Sequence, residues 1–325
     1  MKIGIIGVGH LGKIHIKCIQ QIEAFSIVGV YDNDTSLLER VSDDFKVNAF
    51  DSLQDLLSAV EVVSIVTPTQ THFDIAVEAI RHGKHVFIEK PVTPSSQEAK
   101  ELMTLAEKHK VRVQVGHVER FNPALLALKD EIIRPAFIEV HRLANFNPRS
   151  TDVSVVQDLM IHDIDIMLHF VQSKVRDVRA NGVKIISDHP DICNARIEFE
   201  NGAVANLTAS RMSINNMRKM RMFQPDAYIS LDFLEKKSQV IRIGDEESEN
   251  AMPLEFNDQK KWITIRDVAG PQINAIKQEF ESFYDAIAHN QSVLVSLADG
   301  MRAVEVAEKI EAAVKAQGDI KEFVI

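Results

Sequence analysis

The first thirty-two residues constrain this chain more than any other stretch. Lys2-Ile3-Gly4-Ile5-Ile6 is a short apolar run that enters Gly7-Val8-Gly9-His10-Leu11-Gly12. A helical pattern follows from Leu11 to about Ile22, and a second apolar run, Phe25 to Tyr31, ends at Asp32. Strand, glycine turn, helix, strand and acid in this order make a βαβ unit suited to a dinucleotide. Gly7 permits the tight turn, Gly9 lets the backbone approach a pyrophosphate, and Gly12 lets the helix pack closely on the strand. Val8, His10 and Leu11 complete the turn, and the helix N-terminus offers free N–H groups and the positive end of its dipole. Asp32 stands 20 residues after Gly12, where a carboxylate can accept from the hydroxyls of an adenosine ribose. A 2′-phosphate there would meet a negative charge, and no Lys or Arg occurs between Asp32 and Arg40 to welcome one. NAD is therefore expected rather than NADP.

With 325 residues the chain is too long for one ordinary core, so two domains are expected. Its net charge of −10 argues against nucleic acid and anionic membrane as main partners. Cys18 and Cys193 are too few and too far apart for a disulfide framework or a zinc site. No apolar run reaches the length of a transmembrane helix, and the chain opens directly on its first strand, so no signal peptide is expected. A cytoplasmic location follows as an expectation.

Strands and helices then alternate. Helices are expected over 36–45, 52–59, 71–82 and from Ser95 or Ser96 to His109; strands over 47–50, 61–66, 85–88 and 111–115. Such alternation means a doubly wound parallel sheet. The pattern changes after Phe121-Asn122-Pro123. A helix is expected over 123–132, an alternating stretch over 137–143, a loop to Gln157, and a helix over 158–171. From Arg176 to Arg266 the period is mostly two, and Asn201-Gly202 is a strong hairpin signal. Consecutive strands with short turns imply a large, mainly antiparallel open sheet. Two helices, 273–289 and 299–316, close the chain, and Phe323-Val324-Ile325 suits a terminal strand. The fold class is thus α/β: a Rossmann domain over 1–120 and an α/β domain over 121–325.

Two constellations carry chemistry. Glu89-Lys90-Pro91 directly follows a parallel strand, the place where open α/β sheets bind ligands. An ammonium held there can bind a substrate oxygen and favour its alkoxide-like form. The second is Asp158-Leu159-Met160-Ile161-His162. On a regular helix, Asp158, His162, Asp165 and His169 form a polar stripe opposite Met160, Ile164, Met167, Leu168 and Val171. A carboxylate beside an imidazole fixes its tautomer and raises its basicity, as a general base requires. Asp and His at this spacing also suit zinc, but no third ligand is evident and no metal is expected.

Together these segments resemble the Gfo/Idh/MocA family over essentially the whole chain. The carriers are the glycine turn, Thr67-Pro68-Thr69 with His72, the run Ala79 to Pro91, Asp158 with His162, and Ser296-Leu297-Ala298-Asp299-Gly300. The resemblance implies an oxidoreductase acting on a secondary hydroxyl of a sugar or cyclitol. It implies a homodimer or homotetramer built through the second domain's sheet. It implies His162 as acid/base, Asp158 as its orienter and Lys90 as the group that positions and polarises the reacting oxygen. Thr67, Pro68, His72, Glu89, Lys90 and Arg120 would line the cofactor. Many members carry a glycine-rich run before Asp-x-x-x-His; this chain has Thr151-Asp152-Val153-Ser154-Val155-Val156-Gln157 instead. Residues 116–123 and 158–165 look most like a subgroup that oxidises UDP-N-acetylglucosamine at its 3-position. Its diphosphate would need counter-charges, for which Arg142, Arg149, Arg211, Arg218, Lys219 and Arg221 are candidates, Arg149 foremost beside Lys90 and His162 as substrate ligands. Inositol or free-sugar oxidation and a non-catalytic NAD-binding regulator are the alternatives.

Overall fold

The structure is a computed structural model and describes residues 1–147, 153–246, 250–256 and 259–318. The chain divides into two compact units, Met1–Phe121 with Ile273–Glu305, and Asn122–Gln272 with the chain from Val306. Within residues 1–121 the elements are β1 (Lys2–Ile6), α1 (His10–Ile19), β2 (Ser26–Tyr31), α2 (Thr35–Phe45), α3 (Leu53–Ala59), β3 (Val62–Ile65), α4 (His72–Arg81), β4 (His85–Glu89), α5 (Ser96–His109) and β5 (Val113–Gly116). Next come α6 (Pro123–Leu126), β6 (Phe137–Leu143), α7 (Ile161–Val171), β7 (Val175–Val183), β8 (Ile192–Phe199) and β9 (Val204–Ser210). They are followed by β10 (Met217–Gln224), β11 (Ala227–Asp232), β12 (Lys237–Gly244), β13 (Met252–Phe256), β14 (Gln259–Ala269), α8 (Ala275–Ala288) and α9 (Leu297–Gln317).

In the first unit a five-stranded parallel sheet has the order β2-β1-β3-β4-β5. The order reverses between β1 and β3, so their carboxyl ends flank a crevice suited to a ligand. The helices start where the side chains can hold free N–H groups. Asp34 accepts from Leu37 N at 3.0 Å, Ser52 from Asp55 N at 3.1 Å, and Ser95 forms a reciprocal capping box with Glu98. The stretch 47–50, expected as a strand, makes a single backbone bridge to β2: Val30 N donates to Asn48 O and Phe50 N to Val30 O. The core joins Ile3, Ile5, Val62 and Phe87 to Phe280 and Phe283 of α8, with Phe87 stacked on Phe280 at 4.4 Å.

In the second unit a nine-stranded sheet runs β13-β14-β12-β11-β10-β6-β9-β8-β7, with β6 and β9 parallel and the other pairs antiparallel. The Asn201-Gly202 turn joins β8 to β9, with Gly202 at φ 88°. The helix expected to reach Ile132 ends at Leu126, because Ser238 donates to Ala124 O. Leu128, Lys129 and Glu131 therefore donate to carbonyls three residues back, and the chain continues as tight turns. One sheet face buries Ile138, Val140, Met220 and Met222. On the opposite face Phe137, Phe223, Tyr228, Ile241 and Ile265 lie in register across five strands, with Ile265 50% exposed. Among the described residues no helix is long and apolar enough to cross a membrane. The expected strand 323–325 lies outside the described residues.

Candidate active site

The glycine turn has the geometry that its spacing requires. Gly7, at φ 93°, donates its N–H to Tyr31 O at 2.9 Å, and a Cβ there would lie 2.7 Å from Val66 O. A Cβ on Gly12 would lie 2.1 Å from Gly7 O, so only glycine lets α1 start this close to the turn. Above Gly9 nothing lies within 4 Å of where a Cβ would stand. Gly9 caps α1 without a side-chain bond, so the first-turn N–H groups face outward with their dipole. Val8 is buried and His10 exposed. Asp32 accepts from Val8 N at 2.8 Å and from Asp34 N at 3.0 Å, which holds its carboxylate beside the turn. A backbone cradle that a single Cβ would fill, a free helix start and a fixed carboxylate fit a dinucleotide.

At the neighbouring strand ends Thr67 follows β3 and Lys90 follows β4. Lys90 is partly buried, its peptide bond to Pro91 is cis, and its N–H donates to Glu89 Oε2 at 3.2 Å. His72 and Glu89, expected to line the cofactor, are 1% and 8% exposed. The His72 ring has Nδ1 2.9 Å from Pro91 O and Nε2 2.8 Å from Thr67 O, so it ties the two loops together from behind. Burial pushes its pKa below the ordinary imidazole value, against the pull of both carbonyls and Glu89. Glu89 lies against His15, Nε2 to Oε1 3.1 Å. Burial pushes its carboxyl up, but His15 and Lys90 outweigh this and leave it below the ordinary range. Thr67 accepts at Oγ1 from Thr71 at 2.8 Å, and Pro68 is exposed.

Arg120 is buried in the turn Val118–Phe121 that follows β5. Burial also raises the Asp299 carboxyl, but bonds from Ser296 and Arg302 and the Arg120 charge bring it below its usual value. Ser296 and Asp299 bond reciprocally at the start of α9, which accounts for the Ser-x-x-Asp spacing.

In the second unit the regular helix expected from Asp158 opens instead as a π-helical turn, Val156–Met160, with α7 following from Ile161. Such turns recur at functional sites. Here Glu311 holds it: Ser154 Oγ and Gln157 Nε2 both donate to the Glu311 carboxylate, the latter at 3.0 Å. Asp158 lies in the π turn and His162 in the first turn of α7, both partly buried. The expected polar stripe breaks at Asp165, which is 1% exposed. Asp163 is buried as well, because Arg142 grips it through two bonds of 2.7 and 2.8 Å.

That pair also removes Arg142 from the candidate diphosphate ligands. Arg211 is likewise 2% exposed, bonded to Val153 O and paired with Asp191. Lys219 and Arg221 lie against Asp232 and Glu139. Arg218 is exposed, and Arg149 lies outside the described residues. His15 and Ser64 escaped the sequence reading; the available signal was a histidine on the apolar, sheet-facing stripe of α1 with Gly12, Ile16 and Ile19.

The fold and the glycine turn define a Rossmann-type, dinucleotide-binding protein. The model of the oxidoreductase family with NAD-binding Rossmann fold matches residues 1–117, and the model of the GFO/IDH/MocA C-terminal domain matches residues 135–224. The UDP-N-acetylglucosamine 3-dehydrogenase of Acidithiobacillus ferrooxidans is 37% identical over 97% of this chain and 98% of that protein. A solved structure of that enzyme superposes with a TM-score of 0.88 at 35% identity, covering 97% of this chain and 98% of that one. The scyllo-inositol 2-dehydrogenase (NAD(+)) of Bacillus subtilis is 28% identical over 66% of this chain and 68% of that protein. A levoglucosan dehydrogenase in complex with NADH and L-sorbose, at 21% identity, shares the fold with a TM-score of 0.83 over 98% of this chain and 97% of that one. This chain belongs to the Gfo/Idh/MocA family of oxidoreductases.

Proposed function

We propose that this enzyme oxidises the 3-hydroxyl of UDP-N-acetylglucosamine with NAD. The observation that carries the reading is the 37% identity, spanning both units, to a dehydrogenase of that activity. Bound NAD supplies the hydride acceptor. Gly7, Val8, Gly9, His10, Leu11 and Gly12 form its phosphate seat, and Asp32 accepts from its ribose. NAD is favoured over NADP because Asp32 is followed by Asn33 and Asp34, and Asp34 carries a carboxyl held below its ordinary range by Leu37 N. His162 takes the proton of the substrate hydroxyl, Asp158 orients the imidazole, and Lys90 steadies the charge that grows on the oxygen. Arg149 and Arg218 are the cations proposed for the diphosphate.

The apolar row on the uncovered sheet face supports a homodimer or homotetramer, and the absence of a long apolar helix among the described residues is compatible with the cytoplasm. Light scattering of the enzyme and of a Phe223→Glu variant tests the assembly. The activity is tested by NADH formation with UDP-N-acetylglucosamine, myo-inositol and glucose. A rise with the nucleotide sugar alone supports the proposal. A rise with a free polyol or sugar alone moves the enzyme to simpler substrates, and tight NAD binding without turnover of any sugar points to a regulator.

A further inference from the structure

His15 has no role in the chemistry described above, yet it stands among the buried polar residues of the first unit. Its side chain is fully buried, edge-on to Phe87 at 5.6 Å and to Phe280 at 5.1 Å. Nδ1 lies 2.9 Å from Ser64 Oγ on β3, and Nε2 lies 3.1 Å from Glu89 Oε1 on β4. Burying three polar groups in an apolar layer is costly unless their arrangement is satisfied and useful.

The network has a direction. Glu89 Oε2 accepts the backbone N–H of Lys90, and a Cβ on Gly116 of β5 would stand 2.9 Å from the Glu89 carboxylate. The carboxylate is therefore walled by β5 on one side and held by His15 on the other. His15 in turn sits on α1, one turn beyond Gly12, on the helix whose start forms the phosphate seat. The chain of contacts runs from α1 through His15 and Glu89 to the backbone of Lys90. On the far side of the same turn, Pro91 O is held by His72.

We propose that His15 is a positioning residue: through Glu89 it fixes the backbone that carries Lys90 and registers that backbone against the phosphate-binding helix. His15 acts without reaching substrate or cofactor. The proposal rests on the function given above only where turnover is the readout.

The test compares His15→Leu with the double variant His15→Leu/Glu89→Met. The single variant leaves a buried carboxylate without its imidazole, and its Tm falls. The double variant replaces the pair by apolar groups of similar size, an exchange that is often neutral for stability. In the double variant Tm returns in part, the buried Ser64 hydroxyl still lacking His15, NAD affinity stays within about threefold and the sugar KM within about threefold, but kcat remains lowered by roughly 10- to 100-fold, the cost of a group displaced by about 1 Å. If kcat recovers together with Tm, the network is merely structural and the proposal falls. Hydrogen exchange at the Lys90 amide gives a readout without substrate: in His15→Leu, where Glu89 remains to accept the bond, it accelerates by about tenfold or more, the loss of a bond worth about 1.4 kcal/mol or more. Unchanged exchange overturns the proposal. An inactive wild-type enzyme would sink the assigned reaction and leave the exchange experiment to decide the role of His15.

Discussion

Two alanine substitutions in the glycine turn should separate its structural from its binding role. At Gly12 the new Cβ would stand 2.1 Å from Gly7 O, against 3.4 Å for ordinary contact, so the backbone must part by about 1.3 Å. Overpacking of this kind costs about 1–3 kcal/mol. For a unit of this size that lowers Tm by roughly 2–4 °C per kcal/mol. The same displacement carries the first-turn N–H groups of α1 away from the phosphates, and a loss of about 2 kcal/mol there raises the Kd for NAD by about 30-fold. At Gly9 the conditions differ. The backbone is at φ −64° and nothing lies within 4 Å of the added atom, so the fold has room for it. The methyl group instead fills the space through which a pyrophosphate must approach. Gly9→Ala should therefore keep its Tm within about 2 °C of wild type while its NAD affinity falls by about tenfold or more. Differential scanning fluorimetry and titration calorimetry measure the two effects on the same samples. A Gly9→Ala protein that binds NAD as tightly as wild type would falsify the assignment of this turn as the phosphate seat.

Asp32→Ala loses both the ribose acceptor and the partner of Val8 N, so NAD affinity should fall by about 10-fold or more, the worth of a bond to a charged group; calorimetry with NAD and NADP side by side checks it. His162→Ala should lower kcat by roughly 10²- to 10⁴-fold while NAD binding persists; full activity of that variant would remove His162 from its role. Arg142→Met removes the two bonds that Arg142 makes to the buried Asp163, a loss of about 3–5 kcal/mol in urea unfolding, and a second change of Asp163 to Leu should recover most of it. Stability should decline in two stages on acidification. His72 and His85 have folded pKa values pushed below the ordinary 6.5, chiefly by burial, so their contribution is complete above that value and is lost as pH falls through it. Glu89, Asp191 and Asp299 are held below 4.5 or 3.8, so theirs is complete above those values and is lost only as pH falls further. A Tm that stays constant from pH 8 to about pH 5 would refute the histidine stage.

Much of the first unit was legible because its signals are local. The glycine turn, the alternation of strand and helix and the position of Lys90 after β4 follow from residues near one another in sequence. The Asn201-Gly202 hairpin is local in the same sense. Where the reading departed from the structure, a distant partner had intervened. Ser238 took the carbonyl that would have continued the helix at Ala124. Glu311 bonds the turn before α7, 157 residues from Ser154. Arg142, one of the candidate counter-charges, closes on Asp163.

By itself the sequence determined the class of fold and the geometry of the glycine turn, because periodicity, turn chemistry and motif spacing act over a few residues. Tertiary structure alone decided which polar groups are spent inside the protein. It returned residues 273–305 to the first unit, where Gln114 bonds the backbone of Glu279 across 165 residues of chain. It set His15 against Glu89 and His72 between two carbonyls. Burial changes the worth of a charge or a hydrogen bond severalfold, and burial exists only after segments remote in sequence have packed together.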